Sequence, residues 1–243
     1  MIGLGTLINT GAIIVGGCIG TVFGNKLSER FQNTLMIAMA ICTMFLGIGG
    51  CMEKMLQVSD GKLSTSGTMM MLGSFAIGAL LGEALNLEKK MESFGVWLKK
   101  KTKSDSDGGF VDAFVTSSLT VCVGAMAIVG SIQDGIFGDY TTLSAKAILD
   151  FIIILIMASS MGKGAIFSAV PVFLLQGTVT LLAHFIEPYM TEAALANISF
   201  TGSILIFCVG ANLIWKKTFP VANLLPTIVV AAIWSFFELE VKM

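Results

Sequence analysis

Charged residues are scarce in this chain of 243 residues. Asp, Glu, Lys and Arg make up only 13% of the sequence, apolar residues make up 55%, and the mean hydropathy is +0.86. A soluble domain needs about a quarter of its residues charged to cover a water-facing surface. This shortage excludes an ordinary soluble protein and indicates a surface that faces mostly lipid.

Metal-binding and basic motifs are also lacking. The single histidine, His184, has no His, Cys or acidic residue at ligand spacing, and the five cysteines are scattered singly. This pattern predicts neither a disulfide framework nor a CxxC metal site. A net charge of -1 argues against a nucleic-acid partner. We therefore expect no metal and no cofactor.

Catalytic signatures are absent from the sequence. It contains no HExxH, GxSxG or Walker loop. The segment IFGDY around Asp139 is close to the GxGD motif of intramembrane aspartyl proteases, but Ile136 stands where the first glycine should be. We therefore predict that the chain is not an enzyme.

Long uncharged runs divide the chain. A helix needs about 20 residues to cross a hydrocarbon core of roughly 30 Å, and a backbone in lipid must satisfy its own hydrogen bonds. An eighth apolar run, Leu143–Met161, carries Lys146 and Asp150 in its first turns. These two residues are four apart, so they lie on one helix face and can neutralise each other. The sequence therefore predicts an all-α, polytopic membrane helix bundle of about eight transmembrane helices. The other seven runs are Ile2–Asn25, Phe31–Met52, Leu63–Gly82, Ala113–Gln133, Gly164–Ile186, Ala193–Trp215 and Thr218–Phe237.

The distribution of positive charge predicts the orientation. Lys and Arg are retained on the cytoplasmic side, and eleven of the fifteen fall there if both termini lie outside. A basic cytoplasmic linker, 88–109, separates a three-span front bundle, 1–87, from a five-span back bundle, 110–243. The linker is either a short helix lying on anionic lipid or a solvated tether.

A weak internal likeness accompanies this division. The segment STSGTMMMLGSFAIGALL at the third span is similar to SFTGSILIFCVGANLI at the seventh. Both spans run in the same direction under the predicted topology. A parallel internal repeat is therefore one interpretation, and a chance match of small residues is the other.

The segment from Gly130 to Asp150 holds most of the polar groups at membrane depth. Its glycines predict a break near Gly130, which makes the segment either re-entrant or an external loop with Lys146 snorkelling to the surface. Intramembrane acids usually serve a function, which favours a polar pathway. The candidate transport or binding residues are Asp150, Lys146, Asp139, Asp134, Gln133, Ser131, Asn9 and Gln176.

Glycines spaced four residues apart form two smooth stripes. The first span carries Gly16, Gly20 and Gly24, and the third carries Gly78 and Gly82. Such stripes allow helices to approach closely. They predict packing within the bundle or across a homodimer.

Three segments carry a resemblance to a known family. GTLINTGAIIVGGCIGTVFG at the start, GALLGE from Gly78 and CVGAMAIVGSIQDGIFGD from Cys122 resemble the bacterial YdfK/YqgA-like membrane proteins. The resemblance covers nearly the whole chain and is most specific in GSIQDG. That family is catalogued as a domain of unknown function, so the resemblance implies a bacterial plasma-membrane location and supplies no catalytic residue.

Two hypotheses for the function follow. The concentration of polar groups in a bundle with little soluble mass favours a transporter or channel for a small solute or ion. The glycine stripes and the basic segment are also compatible with a membrane scaffold or sensor that transports nothing.

Overall fold

A computed structural model describes residues 2–24, 28–59, 61–102, 108–122, 125–215 and 218–241. The chain is almost entirely helical, with one small hairpin. The elements are α1 (Leu4–Gly24), α2 (Glu29–Met55), β1 (Leu56–Ser59), β2 (Lys62–Thr65), α3 (Thr68–Leu85), α4 (Leu87–Lys101), α5 (Phe110–Cys122), α6 (Ala125–Phe137), α7 (Thr141–Met161), a 3-10 segment (Lys163–Ser168), α8 (Ala169–Leu181), α9 (Ala183–Ile186), a 3-10 turn (Glu187–Tyr189), α10 (Glu192–Trp215), α11 (Val221–Leu224) and α12 (Pro226–Val241).

The predicted all-α membrane bundle is confirmed. Among the described residues, six helical segments are long and apolar enough to span a membrane, and a seventh is added if α5 and α6 form one bent span. The apolar helix Val221–Phe237 falls short of that length. The count of eight therefore stays a prediction.

The hairpin corrects the start of the predicted third span. Residues Leu63 to Thr65 belong to β2, which pairs antiparallel with β1, and α3 begins only at Thr68. The strands are joined by Asp60-Gly61, and Gly61 has a φ of +73°. Asp-Gly is a strong signal for a two-residue hairpin turn, so this element was readable from the sequence.

The first glycine stripe packs along α7. A Cβ on Gly16 would lie 2.6 Å from the Phe151 carbonyl oxygen, and Cβ atoms on Gly20 and Gly24 would overlap the carbonyls of Leu155 and Ser159. Both sets of residues advance by four, so α1 and α7 run parallel with their backbones in contact. These three glycines thus serve packing within the bundle.

Helix α1 also crosses α8 and the 3-10 segment before it. Thr6 lies against Thr180, with their hydroxyl oxygens 3.5 Å apart, and Gly17 lies against Ile166. A later residue of α1 therefore contacts an earlier residue of the segment that contains α8. The two segments are therefore antiparallel.

Two further pairs are antiparallel and also glycine-packed. Gly47 of α2 lies against Phe207 of α10, and Gly210 of α10 lies against Met44. In α3, Gly78 meets the Thr227 backbone of α12, and Gly82 meets the Asn223 backbone of α11. Both predicted stripes are therefore occupied inside one chain.

Helices that precede the predicted linker pack against helices that follow it. Each of α1, α2 and α3 pairs with a helix that follows the linker, namely α7, α10 and α12. The two helices of the proposed repeat, α3 and α10, have different main partners. The division into front and back bundles, the repeat and a homodimer stay predictions.

The linker is largely helical where it is described. Helix α4 packs on α5 through Gly95, which contacts Phe114, and through the buried Leu98. Lys99, Lys100 and Lys101 form its last turn, where positive charge suits a helix carboxyl end. The Ser/Asp part of the predicted flexible linker, 103–107, lies outside the described residues.

Candidate functional site

The site is built around a broken span. Helices α5 and α6 are inclined by 63° to each other at a short break between Cys122 and Met126. The sequence placed the break near Gly130, and that prediction is wrong, because Gly130 lies inside α6 with its backbone against Leu143. The segment contains Gly130, Gly135 and Gly138. Of these, only Gly138 has a positive φ, +65°, and it follows the end of α6.

Lys146 and Asp150 form a buried ion pair on α7. Lys146 Nζ lies 2.5 Å from Asp150 Oδ2, and the two residues are only 7% and 3% exposed. Asn9 Nδ2 of α1 donates to the same Asp150 oxygen at 3.0 Å. Asp150 lies about halfway along α7, and Lys146 lies one turn nearer the start of that helix.

The lysine also joins α7 to the broken span. Lys146 Nζ donates to the Val121 carbonyl at 2.8 Å, in the last turn of α5. Carbonyls at a helix carboxyl end lack intrahelical partners and carry partial negative charge, which suits an ammonium group. Asn9, Lys146, Asp150 and the Val121 carbonyl are called here the Asp150 network. The alternative in which Lys146 snorkels from an external loop is wrong, because the ammonium group bonds inside the bundle.

Asp134 fastens α6 to the start of α1. Its two carboxylate oxygens accept hydrogen bonds from the backbone amides of Gly3 at 3.2 Å and Gly5 at 3.0 Å. The Asp134 side chain is fully buried. An acid at a helix amino terminus satisfies free N–H groups and complements the helix dipole. These contacts are called here the Asp134 clamp.

Asp139 lies in the turn between α6 and α7, and Gln133 lies in the last turns of α6; both are away from the Asp150 network. Asp139 Oδ1 accepts from the Thr141 hydroxyl at 2.6 Å and the Thr141 amide at 2.9 Å. These bonds hold the pKa of Asp139 below its ordinary value. Gln133 Oε1 accepts from the Thr142 hydroxyl at 2.7 Å. Both residues stabilise the start of α7.

Ser131 and Gln176 are buried without hydrogen-bond partners. Ser131 is 0% exposed and Gln176 is 1% exposed. Neither the Ser131 hydroxyl nor either amide atom of Gln176 meets a partner among the described residues. Polar atoms at such depth are usually satisfied, so these two side chains need a reason.

A cavity of about 430 Å³ approaches the network from the end of the bundle opposite the start of α1. Asp112, Thr116 and Leu119 line it along α5, and Asn212 lines it from α10. Leu119 is two residues before Val121, the acceptor of the Lys146 bond. Leu119 packs with Leu205 of α10, whereas Val121 packs with Ile13 of α1. The cavity therefore reaches the level of the Asp150 network along α5, on another face of that helix.

A larger cavity, of about 660 Å³, lies beside the hairpin. Lys54, Gln57, Asn197, Phe200 and Trp234 contribute to its walls. Its walls come from α2, the hairpin, α10 and α12, and none comes from the helices of the Asp150 network. It is therefore a separate feature of the molecule.

Comparison with known proteins places the chain in a family. Residues 4–236 match the family described as "Protein of unknown function (DUF554)". The chain belongs to the DUF554 family. It is 31% identical over 232 residues to "Uncharacterized membrane protein YdfK" of Bacillus subtilis (strain 168), covering 96% of this chain and 95% of that protein. It is 28% identical over 235 residues to "Uncharacterized protein YqgA" of Escherichia coli (strain K12), covering 94% of each. No solved structure matches the chain.

The DUF554 assignment confirms the resemblance found in the sequence. The membrane location agrees with the name of the Bacillus relative and with the apolar helices. Neither relative's name states an activity. The function of this DUF554 protein must therefore be argued from its own geometry.

Several contacts of the site were not predicted. In the sequence, Asn9 is a separate candidate, and only Lys146 and Asp150 are predicted to pair, by their spacing of four. The Val121 carbonyl and the amides of Gly3 and Gly5 are backbone groups, which leave no mark in a sequence. Thr6 and Thr180 were identifiable only as hydroxyl residues within apolar runs.

Proposed function

We propose that this protein moves a small solute or ion across the membrane through the Asp150 network. The observation that carries the proposal is a buried ion pair halfway along α7, bonded to the carboxyl end of a broken span. Transporters commonly bind solutes and ions at discontinuous helices near the bilayer midplane, where free backbone groups are available. The Val121 carbonyl and Asp150 match that arrangement.

Stability alone does not account for the ion pair. A buried pair contributes little or nothing compared with well-packed apolar residues of similar volume, because both charges must be desolvated. At membrane depth the desolvation is costlier, and ionisable residues there usually mark a pathway. We therefore assign Lys146 and Asp150 to transport.

The two ends of the bundle support a mechanism of alternating access. The cavity lined by Leu119 extends from one end of the bundle to the level of the network along α5. At the other end the Asp134 clamp and the Thr6–Thr180 contact close the space between α1, α6 and α8. The conformation described is thus open toward one side and closed toward the other, and movement of α1 against α6 would reverse this.

Charge places the open end in the cytoplasm of a bacterial cell. Arg30, Lys163 and the lysines of α4 are at the open end of the bundle, whereas Lys54 and Lys62 are at the closed end. Positive charge is retained on the cytoplasmic side of the plasma membrane. Both termini then lie outside. The other lysines used to predict this orientation, Lys26, Lys103, Lys216, Lys217 and Lys242, lie outside the described residues.

The scaffold or sensor hypothesis has lost part of its support. It depended on glycine stripes free to contact another protein, and both stripes are covered within the chain. The basic helix α4 is the remaining argument for it.

Flux into reconstituted vesicles tests the proposal. The double variant Lys146→Met/Asp150→Asn removes the charges together, so neither is left buried alone. Stopped-flow light scattering would follow osmotic swelling of proteoliposomes in NaSCN, KSCN, glycine and glycerol, with thiocyanate as a membrane-permeant anion that balances the charge of an entering cation. The matched control is Ser203→Ala, because the Ser203 hydroxyl bonds only to the Ser199 carbonyl of its own helix.

We expect at least one of these solutes to enter faster through the wild type and the control than through protein-free vesicles. The double variant should elute as a monodisperse peak and show no such flux. Wild-type vesicles that swell no faster than protein-free ones, or a double variant with unchanged flux, would contradict the proposal.

A further inference from the structure

Three buried side chains, on α1, α6 and α8, carry polar atoms without a hydrogen-bond partner among the residues that the structure describes. These atoms are Asn9 Oδ1, Ser131 Oγ and both amide atoms of Gln176. Their residues are 0%, 0% and 1% exposed. A buried polar atom without a hydrogen bond is destabilising, so four such atoms on three neighbouring helices indicate a ligand.

Asn9 and Gln176 lie on facing sides of α1 and α8. Thr6 contacts Thr180 across these antiparallel helices. Asn9 lies one turn after Thr6 on the same face of α1, and Gln176 lies one turn before Thr180 on the same face of α8. Because the two helices are antiparallel, both steps lead in the same direction through the bundle. The two side chains are therefore at about the same depth in the bundle.

Ser131 supplies a third side from α6. Gly135 packs against the Thr180 carbonyl, so this face of α6 is turned toward α8. Ser131 lies one turn before Gly135 on that face of α6. Asp134, three residues after Ser131, is turned toward α1. Asn9, Ser131 and Gln176 are called here the Gln176 site.

The chemistry of the Gln176 site is that of oxygen ligands. Asn9 donates through Nδ2 to Asp150, which leaves its Oδ1 as an acceptor. The Ser131 hydroxyl and Gln176 Oε1 are further oxygens without a donor. Hard cations prefer such ligands.

The charged side chains near the site determine which ligand charge is favourable. Asp134 and Asp150 are two buried acids, and Lys146 is the buried base bonded to one of them. The three side chains therefore carry one surplus formal negative charge, which the amino terminus of α1 offsets in part through the Gly3 and Gly5 amides. A single positive charge would balance it, which is favourable where uncompensated charge is costly.

We propose that the Gln176 site binds a monovalent alkali cation through Asn9 Oδ1, Ser131 Oγ and Gln176 Oε1. This deepens and rests on the proposed function, since it identifies a cation as the species that the transporter moves. Asn9 links the cation to Asp150, so binding at the site biases the ion pair on α7.

Thermal unfolding of the full chain in detergent tests the site without any transport assay. Midpoints would be compared in LiCl, NaCl and KCl against choline chloride at equal ionic strength. The variants are Ser131→Ala and Gln176→Met, which keep size and remove oxygen ligands. The matched control is Ser74→Ala, because Ser74 is also fully buried with a free hydroxyl but lies on α3.

We expect at least one alkali chloride to raise the midpoint of the wild type and of Ser74→Ala above that in choline chloride. Both site variants should lose this shift while still unfolding cooperatively in choline chloride. Equal midpoints in all four salts, or a shift that survives in both site variants, would overturn the cation site.

The two proposals fail in different ways. Flux that depends on the Asp150 network without any cation-dependent shift would leave the transporter and remove the cation site. A shift confined to the Gln176 site without flux would leave a cation-binding protein that does not transport.

Discussion

The α1–α7 and α2–α10 pairs are assembled alike and contain different chemistry. Both bring backbones together at glycines, Gly20 in one pair and Gly47 in the other. In α10 the Ser203 hydroxyl returns to the carbonyl of its own helix. In α1–α7 the polar side chains bond between helices, through Asn9 and Asp150. Close packing therefore explains the α2–α10 pair, whereas the α1–α7 pair also holds groups that packing does not require.

The largest effect should come from separating the charges of α7. Asp150→Asn leaves the Lys146 ammonium buried without its counter-ion, which costs about 3–5 kcal/mol of unfolding free energy. The double variant Lys146→Met/Asp150→Asn should recover most of this loss. Chemical denaturation in detergent measures both. Equal losses in the single and double variants would show that the charges are not coupled.

Adding a methyl group to the packed glycines separates packing from function. Gly20→Ala and Gly47→Ala each force backbones apart and should cost about 1–3 kcal/mol. We expect only Gly20→Ala to reduce flux as well, since it shifts α1 against α7. Gly11→Ala and Gly49→Ala are the controls, because a Cβ at either position meets no atom within 4 Å. Similar flux in the two packed variants would remove the distinction between the pairs.

Removing the Asp134 clamp should have a more local effect. Asp134→Asn replaces a carboxylate that accepts from two amides with a side chain that has one acceptor oxygen. Loss of a hydrogen bond to a charged group costs about 1.5–3 kcal/mol. Hydrogen exchange of the Gly3 and Gly5 amides should accelerate, with no change in α10. Unchanged exchange at the start of α1 would show that the clamp does not hold this end closed.

The smallest effect concerns the exposed cap of α7. The lowered pKa of Asp139 means that its ionised form is favoured by folding. Its contribution is therefore present above the unfolded pKa of about 3.9 and is lost as the pH falls through the lower folded value. Asp139→Ala should unfold at a lower temperature than the wild type at neutral pH. The two midpoints should approach each other as the pH falls through the lowered pKa of folded Asp139, because its carboxylate then loses its charge. A difference that stays constant with pH would contradict this.

The sequence predicted features that depend on local spacing. The scarcity of charge predicted the membrane bundle, and the spacing of four predicted both the Lys146–Asp150 pair and the Gly16–Gly20–Gly24 stripe. Each depends on helical periodicity or on the thickness of the bilayer. The hairpin was missed although Asp60-Gly61 signals one, because Leu63 was counted with the apolar run that follows.

The remaining features depend on contacts between distant segments. Asn9 and Asp150 are separated by 141 residues, and nothing in either neighbourhood identifies the other. The break after Cys122 lacks a proline, and the glycines that drew attention to Gly130 lie within or after α6. The alignment of Asn9 with Gln176 follows only from the antiparallel contact of α1 with α8.

The central claim is that water reaches the Asp150 network from the open end and not past the Asp134 clamp. Leu119→Cys and Thr180→Cys, each in a chain whose five native cysteines are replaced by serine, place a thiol on either side of the network. Oriented vesicles would be treated with a membrane-impermeant thiol reagent on one face at a time. We predict that the Leu119→Cys thiol reacts from the face nearer Asp112 and that the Thr180→Cys thiol reacts from neither. A Leu119→Cys thiol inert from both faces would contradict the account.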